Sequence, residues 1–211
     1  MSNATAWPEL KRGLVAILRG LEPHEAADIG NRIFEAGIEA IEIPLNSPDP
    51  FRSVEIMAET LPAEAIVGAG TVLTVEDVDR LADCGGRLMV SPNVDAPVIA
   101  RASKRGLTTM PGVFTATEAI AALKAGASGL KFFPASALGP SGIAAIRTIL
   151  PADTKIGAVG GVSEKDFSDY AKVRINIFGL GSSLYRPGFS ASEIGERAKR
   201  AVAAWDNAFA A

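Results

Sequence analysis

The chain has 211 residues, 48% of them hydrophobic and 21% charged, which fits one globular domain that buries roughly seven-tenths of its unfolded surface. Its net charge of -3 comes from interspersed acidic and basic residues with no basic stripe, which argues against nucleic acid or an anionic membrane as a partner. A single cysteine, Cys84, and a single histidine, His24, exclude a disulfide framework, a His/Cys metal cluster and most histidine-dependent triads.

Short apolar runs alternate with longer amphipathic segments from end to end. A strand over Leu14–Arg19 is followed by a helix from Glu22 to Ala36, then strand Ala40–Pro44 and helix Asp49–Thr60. Strand Ala65–Thr71 leads to a helix over Thr74–Cys84, whose acidic first turn, Glu76-Asp77, suits a helix N-terminus. Strand Arg87–Ser91 precedes helix Asp95–Arg105, and strand Leu107–Pro111 precedes helix Thr115–Ala125. The last three pairs are Gly129–Phe133 with Ser141–Leu150, Lys155–Val159 with Ser163–Ala171, and Ile175–Gly179 with Ala191–Ala210. Glycine closes several helices, as in Ala36-Gly37, Arg105-Gly106 and Ala125-Gly126.

Eight strand-helix units in succession mean a parallel sheet, and at this length they fit a closed (β/α)8 barrel, the TIM-barrel architecture, with few insertions. An open doubly wound sheet is the alternative, although it uses fewer strands and reverses their order at a switch point. One domain over residues 1–211 is expected, with a short helix at about Ala6–Lys11 beneath the barrel. Met1 to Trp7 lack a basic region followed by an apolar run, and no stretch has the length of a membrane span. A soluble, cytoplasmic protein is the resulting expectation.

In such a barrel the active site lies at the C-terminal ends of the strands. Strand alternation sends Gly129, Lys131 and Phe133 to one face and Leu130 and Phe132 to the other. A bulge could exchange Phe132 and Phe133. Glu42 faces inward with Ala40, while Ile41 and Ile43 face the helices. Arg19 ends the first strand, Thr71 the third, and Ser91-Pro92 the fourth. Arg19, Glu42 and Lys131 thus converge on one cavity, either as an ion-pair network plugging the barrel or as a catalytic group. A carbonyl-attacking lysine must be deprotonated, which burial and a nearby cation promote, and Glu42 is the carboxylate able to move protons. His24, at a helix start, reads as a solvated residue.

The strands at positions seven and eight end in glycine, as Val159-Gly160-Gly161 and Gly179-Leu180-Gly181-Ser182. Loops at these positions are the recurrent phosphate site of the architecture. No Gly-x-Gly-x-x-Gly follows the first strand, so a dinucleotide fingerprint is absent.

Taken together, Leu14–Gly20, Glu42–Pro48, Gly68–Leu73, Pro111-Gly112 with Thr115–Ala119, Leu130–Ser136, Ala158–Val162 and Gly179–Tyr185 resemble the class I pyruvate-dependent aldolases that cleave 2-keto-3-deoxy-6-phosphosugar acids. The resemblance covers nearly the whole chain. It implies that Lys131 forms a Schiff base with the substrate ketone and that Glu42 moves protons. It further implies that Arg19 orients Glu42 or meets the substrate carboxylate, that Thr71 and Pro92 line the pyruvate end, and that Phe133 forms an apolar wall. Val159 is expected near the C4 hydroxyl, and Gly160, Gly161, Gly181 and Ser182 are expected to hold phosphate. No metal or organic cofactor is expected; the partners are the phosphorylated keto-deoxy sugar acid and pyruvate, and a homotrimer is implied.

Asn46 and Val159 are similar to the branch acting on the galactonate epimer, where the gluconate branch carries arginine and threonine. Activity on the gluconate epimer, or on both, is the alternative, and a non-catalytic phosphosugar-binding barrel is a more distant one. Ser183 departs from the galactonate pattern, in which an aspartate is expected, and the departure bears on phosphate affinity.

Overall fold

A computed structural model describes residues 5–210; residues 1–4, part of the stretch read for a leader, and residue 211 lie outside the described residues. Strands and helices alternate as β1 (Leu14–Ile17), α1 (Pro23–Glu35), β2 (Ala40–Pro44), α2 (Pro50–Thr60), β3 (Ile66–Gly70), α3 (Val75–Asp83), β4 (Leu88–Val90) and α4 (Ala96–Lys104). The second half runs β5 (Thr108–Met110), β6 (Gly112–Val113), α5 (Ala116–Lys124), β7 (Leu130–Phe132), α6 (Ala135–Arg147), β8 (Ile156–Val159), α7 (Phe167–Ala171), β9 (Ile177–Leu180) and α8 (Ala191–Phe209). Side-chain caps start several helices: Thr74, Asp95, Thr115 and Ser190 each accept the N-H three residues on. Thr115 with Glu118 and Ser190 with Glu193 complete capping boxes.

All strand pairs are parallel, in the order β5-β4-β3-β2-β1-β9-β8-β7-β6. The first and last members of that order are the two halves of one segment, which makes the nine strands an eight-unit barrel. Proline supplies no N-H at position 111 and splits the expected fifth strand. Its carbonyl still accepts from Lys131 N, between the Gly129-to-Thr109 and Phe133-to-Val113 bonds, so the ladder to β7 runs through the break. The open doubly wound alternative is thereby excluded.

Burial divides the strands as alternation requires. Ile41, Ile43, Leu130 and Phe132 join the large core between sheet and helices. Val15, Ala40, Leu88, Val90, Met110 and Ile177 form a smaller cluster inside the barrel. Trp7 and Leu10 pack against this inner cluster, and Lys11 N donates to Glu39 just before β2. Residues 6–11 therefore do close the N-terminal end, but as irregular chain and not as the expected helix. Tertiary packing of two apolar side chains and a backbone bond to Glu39 fix this segment; six residues are too few to sustain a helix unaided.

Two further helices differ from expectation. The one expected over Ser141–Leu150 begins earlier, at Ala135, and is kinked at Gly139-Pro140, where Gly139 has φ 64° and ψ 172°. The one expected from Ser163 begins at Phe167, because Asp166 accepts from both Ser163 N and Ser163 Oγ and holds residues 163–166 in a turn. Among the described residues no helix is long and apolar enough to cross a membrane.

Candidate active site

Lys131 is the central residue of β7 and Glu42 the central residue of β2, and both side chains are buried, at 7% and 2% exposure. They open into a cavity of about 600 Å³ at the C-terminal ends of the strands. The catalytic and substrate-binding candidates from the sequence all line it: Arg19, Glu42, Thr71, Pro92, Lys131, Phe133, Val159, Gly160, Gly161, Gly181 and Ser182. Parity also settles the phenylalanines, since Phe133 faces the cavity and Phe132 is fully buried among the helices. His24, by contrast, lies on the exposed start of α1.

The three charges do not form a plug. Neither Lys131 nor Arg19 makes an ion pair with Glu42 within 4.0 Å, and Glu42 Oε2 is buried without a hydrogen-bond partner. The Lys131 ammonium instead lies 4.9 Å from the centroid of the Phe133 ring. Arg19 Nη1 donates to Asn46 Oδ1 at 2.5 Å, and Gly20 N donates to Ser47 Oγ at 2.9 Å, so the loops after β1 and β2 are tied twice. The family resemblance offered Arg19 either as an orienter of Glu42 or as a partner of the substrate carboxylate; the guanidinium is held by Asn46.

Burial dominates the electrostatics of both central groups. It pushes Glu42 up to about 7 against the opposing charges of Lys131 and Arg19. It lowers Lys131 below the ordinary amine range; Glu42 opposes that shift and Arg19 adds to it. A desolvated amine beside a carboxyl that titrates near neutrality is equipped for nucleophilic attack on a carbonyl with proton transfer close by.

Small and strained backbone makes the room. A Cβ at Gly70 would collide with the Glu42 carboxylate, and one at Gly179 would crowd Val159 and Ile17. Thr71, next in the chain after Gly70, has φ 57°, which is costly for a β-branched residue and fits a site held by its surroundings. Gly70→Ala is expected to displace the carboxylate and lower turnover by about 100-fold, as misplacement of a reacting group does. Steady-state kinetics, with thermal unfolding to confirm the fold, check this; unchanged turnover would remove Gly70 from the positioning of Glu42.

The far end of the cavity is built by the loops after β8 and β9. Gly160 and Gly161 have φ 89° and 73°, a backbone open to glycine and strained for other residues. Added Cβ atoms would press on Phe133 and Ser136 respectively. Past β9, the Gly181 carbonyl accepts from Leu184 N and Tyr185 N. Ser183 Oγ donates to the Val162 carbonyl at 3.3 Å and links the two loops. An aspartate at this position, being ionised, could not donate that bond. Ser163, Tyr185, Arg186 and Pro187 also line the cavity and were missed from the sequence.

Fold and cavity define a class: a closed (β/α)8 barrel with a desolvated lysine and carboxylate at its catalytic face. Within that class, the chain belongs to the KDPG and KHG aldolase family, whose family model matches residues 9–198. A relative from Rhizobium meliloti (strain 1021), a probable 2-dehydro-3-deoxy-6-phosphogalactonate aldolase, is 62% identical over 199 residues, covering 94% of both chains. The 2-dehydro-3-deoxy-6-phosphogalactonate aldolase of Escherichia coli (strain K12) is 44% identical over 200 residues, covering 95% of this chain and 98% of its own. A solved native KDPGal structure superposes with a TM-score of 0.94 at 43% identity, over 98% of this chain and 100% of that one. The KDPG aldolase of Legionella pneumophila, solved with pyruvate captured as a covalent carbinolamine intermediate, gives a TM-score of 0.80 at 26% identity, over 89% and 93% of the two chains.

Proposed function

We propose that the chain is a class I aldolase that cleaves 2-dehydro-3-deoxy-6-phosphogalactonate to pyruvate and D-glyceraldehyde 3-phosphate, a carbon-carbon lyase reaction of galactonate catabolism. The observation that carries the chemistry is the buried Lys131 amine, lowered by desolvation, beside a Glu42 carboxyl that titrates at about 7. Lys131 attacks the C2 ketone to give a carbinolamine, which loses water to form the imine. The iminium then accepts the electron pair of the C3-C4 bond while Glu42, directly or through a water, takes the C4 hydroxyl proton. Glyceraldehyde 3-phosphate leaves as the aldehyde. Protonation of the enamine at C3 and hydrolysis of the imine release pyruvate and restore the amine.

In this reading Thr71 and Pro92 line the pyruvate end, Phe133 walls the imine, and Arg19, fixed by Asn46, meets the substrate carboxylate. Gly160, Gly161, Gly181 and Ser182 receive the phosphate. The lysine supplies the electron sink, so the reaction as written calls for no metal or organic cofactor. A homotrimer in the cytoplasm belongs to the same reading and is supported by the family resemblance.

The choice of epimer rests on the names of the two relatives and on Val159, an apolar side chain on the cavity wall. Turnover on the galactonate and gluconate epimers is the test. The galactonate epimer is expected to be the better substrate, and Val159→Thr to shift the kcat/KM ratio toward the gluconate epimer by about tenfold, the scale of one polar-for-apolar change in a specificity pocket. Equal turnover of the two epimers by the wild type would replace this assignment with a dual-epimer one, leaving the imine chemistry intact.

A further inference from the structure

Arg186 is a charge that the reaction set out above does not use. It lines the cavity beside Ser182, and its Nε donates to the Ser182 carbonyl at 3.2 Å, which holds the guanidinium at the loop assigned to the phosphate. Within the described residues its two terminal nitrogens, Nη1 and Nη2, have no hydrogen-bond partner and no carboxylate pairs with it. The other cations on the cavity wall are otherwise engaged: Arg19 is bound to Asn46, and Lys131 is the buried amine on β7. Among the described residues the cavity's only carboxylate, Glu42, is buried on β2.

A phosphate monoester brings a charge of about -1.5 to -2 near pH 7. Backbone N-H groups offer it dipoles but no compensating charge, in a chain whose own net charge is -3. A guanidinium anchored through Nε and free at both Nη atoms has the planar fork that suits two phosphate oxygens.

We propose that Arg186 is the side-chain counter-charge for the substrate phosphate and sets the preference for phosphorylated over unphosphorylated sugar acids. This rests on the phosphate assignment under the proposed function and adds the group that reads the charge.

The test compares kcat/KM for the phosphorylated sugar acid with kcat/KM for the same sugar acid lacking phosphate, in the wild type, Arg186→Gln and Arg186→Lys. Arg186→Gln is expected to lower the ratio by about tenfold or more, through KM, the scale of a lost charge-assisted bond. Arg186→Lys should recover part of the loss, and inorganic phosphate should become a weaker competitive inhibitor of Arg186→Gln to a similar degree. Because the side chain is exposed, thermal unfolding of both variants is expected to match the wild type. A ratio within twofold of the wild type in Arg186→Gln overturns the role of Arg186 while leaving the phosphate assignment standing. A wild type that turns over both substrates equally well overturns the phosphate assignment and this proposal with it.

Discussion

Lys131→Met is expected to abolish imine formation and to lower turnover by on the order of 10⁵-fold, because the positioned nucleophile is removed and, among the described residues, no other lysine lines the cavity. The fold should survive. Methionine matches the lysine stem in length and needs no hydration, whereas the wild type buries an amine at 7% exposure without a hydrogen-bonded carboxylate. A melting temperature at or above that of the wild type, together with lost turnover, separates a chemical defect from a structural one. Loss of Lys131 also removes the stronger of the two charges that oppose the effect of burial on Glu42, so that carboxyl should titrate even higher in the variant. Turnover near the wild-type level would end the Schiff-base account.

Glu42→Gln has the second-largest expected effect, a loss of about 10²- to 10⁴-fold in turnover, the usual contribution of a positioned acid-base group, with a modest change in substrate binding. The pH dependence makes the prediction sharper. A carboxyl held at about 7 is ionised above that pH and protonated below it. Wild-type kcat/KM should therefore fall by about tenfold per pH unit on the acid side of 7, and Glu42→Gln should lose that limb.

Stability shifts in the opposite sense. The folded protein holds this carboxyl above its ordinary 4.5, so the stability linked to it is fully present below about 4.5 and is lost as pH rises through about 7. Glu42→Gln should remove that decline. A variant with the wild-type acid limb and wild-type stability profile would exclude Glu42 as the proton carrier.

The sequence was most legible where a simple period met a strong environmental demand. Two-residue alternation was sufficient to place Glu42, Lys131 and Phe133 inside the mouth and Ile41, Ile43, Leu130 and Phe132 against the helices, because a one-residue slip would have reversed every one of them. The glycine pair at the end of β8 was equally readable, since the consecutive positive φ values of Gly160 and Gly161 restrict the choice of residue.

What escaped was information that exists only across space. That Asn46 holds Arg19 depends on two loops meeting 27 positions apart, and that Gly70 leaves room for Glu42 depends on β2 and β3 lying side by side. The irregular Ala6–Lys11 segment was misread as a helix because its conformation is decided by where Trp7 and Leu10 find the inner cluster. Pro111 was read as the end of a strand; the ladder continues through its carbonyl and closes the barrel. Arg186 was passed over because an exposed arginine in a loop has no signature until the cavity it faces is known.

The central claim is that Lys131 is an amine nucleophile and not a buried counter-charge. Incubating the wild type with pyruvate and borohydride, followed by peptide mass mapping, addresses it most directly. The account predicts one stable reduced adduct, on Lys131, and none in Lys131→Met. An enzyme that takes up no pyruvate under reduction, or that carries the adduct on a different lysine, would contradict it.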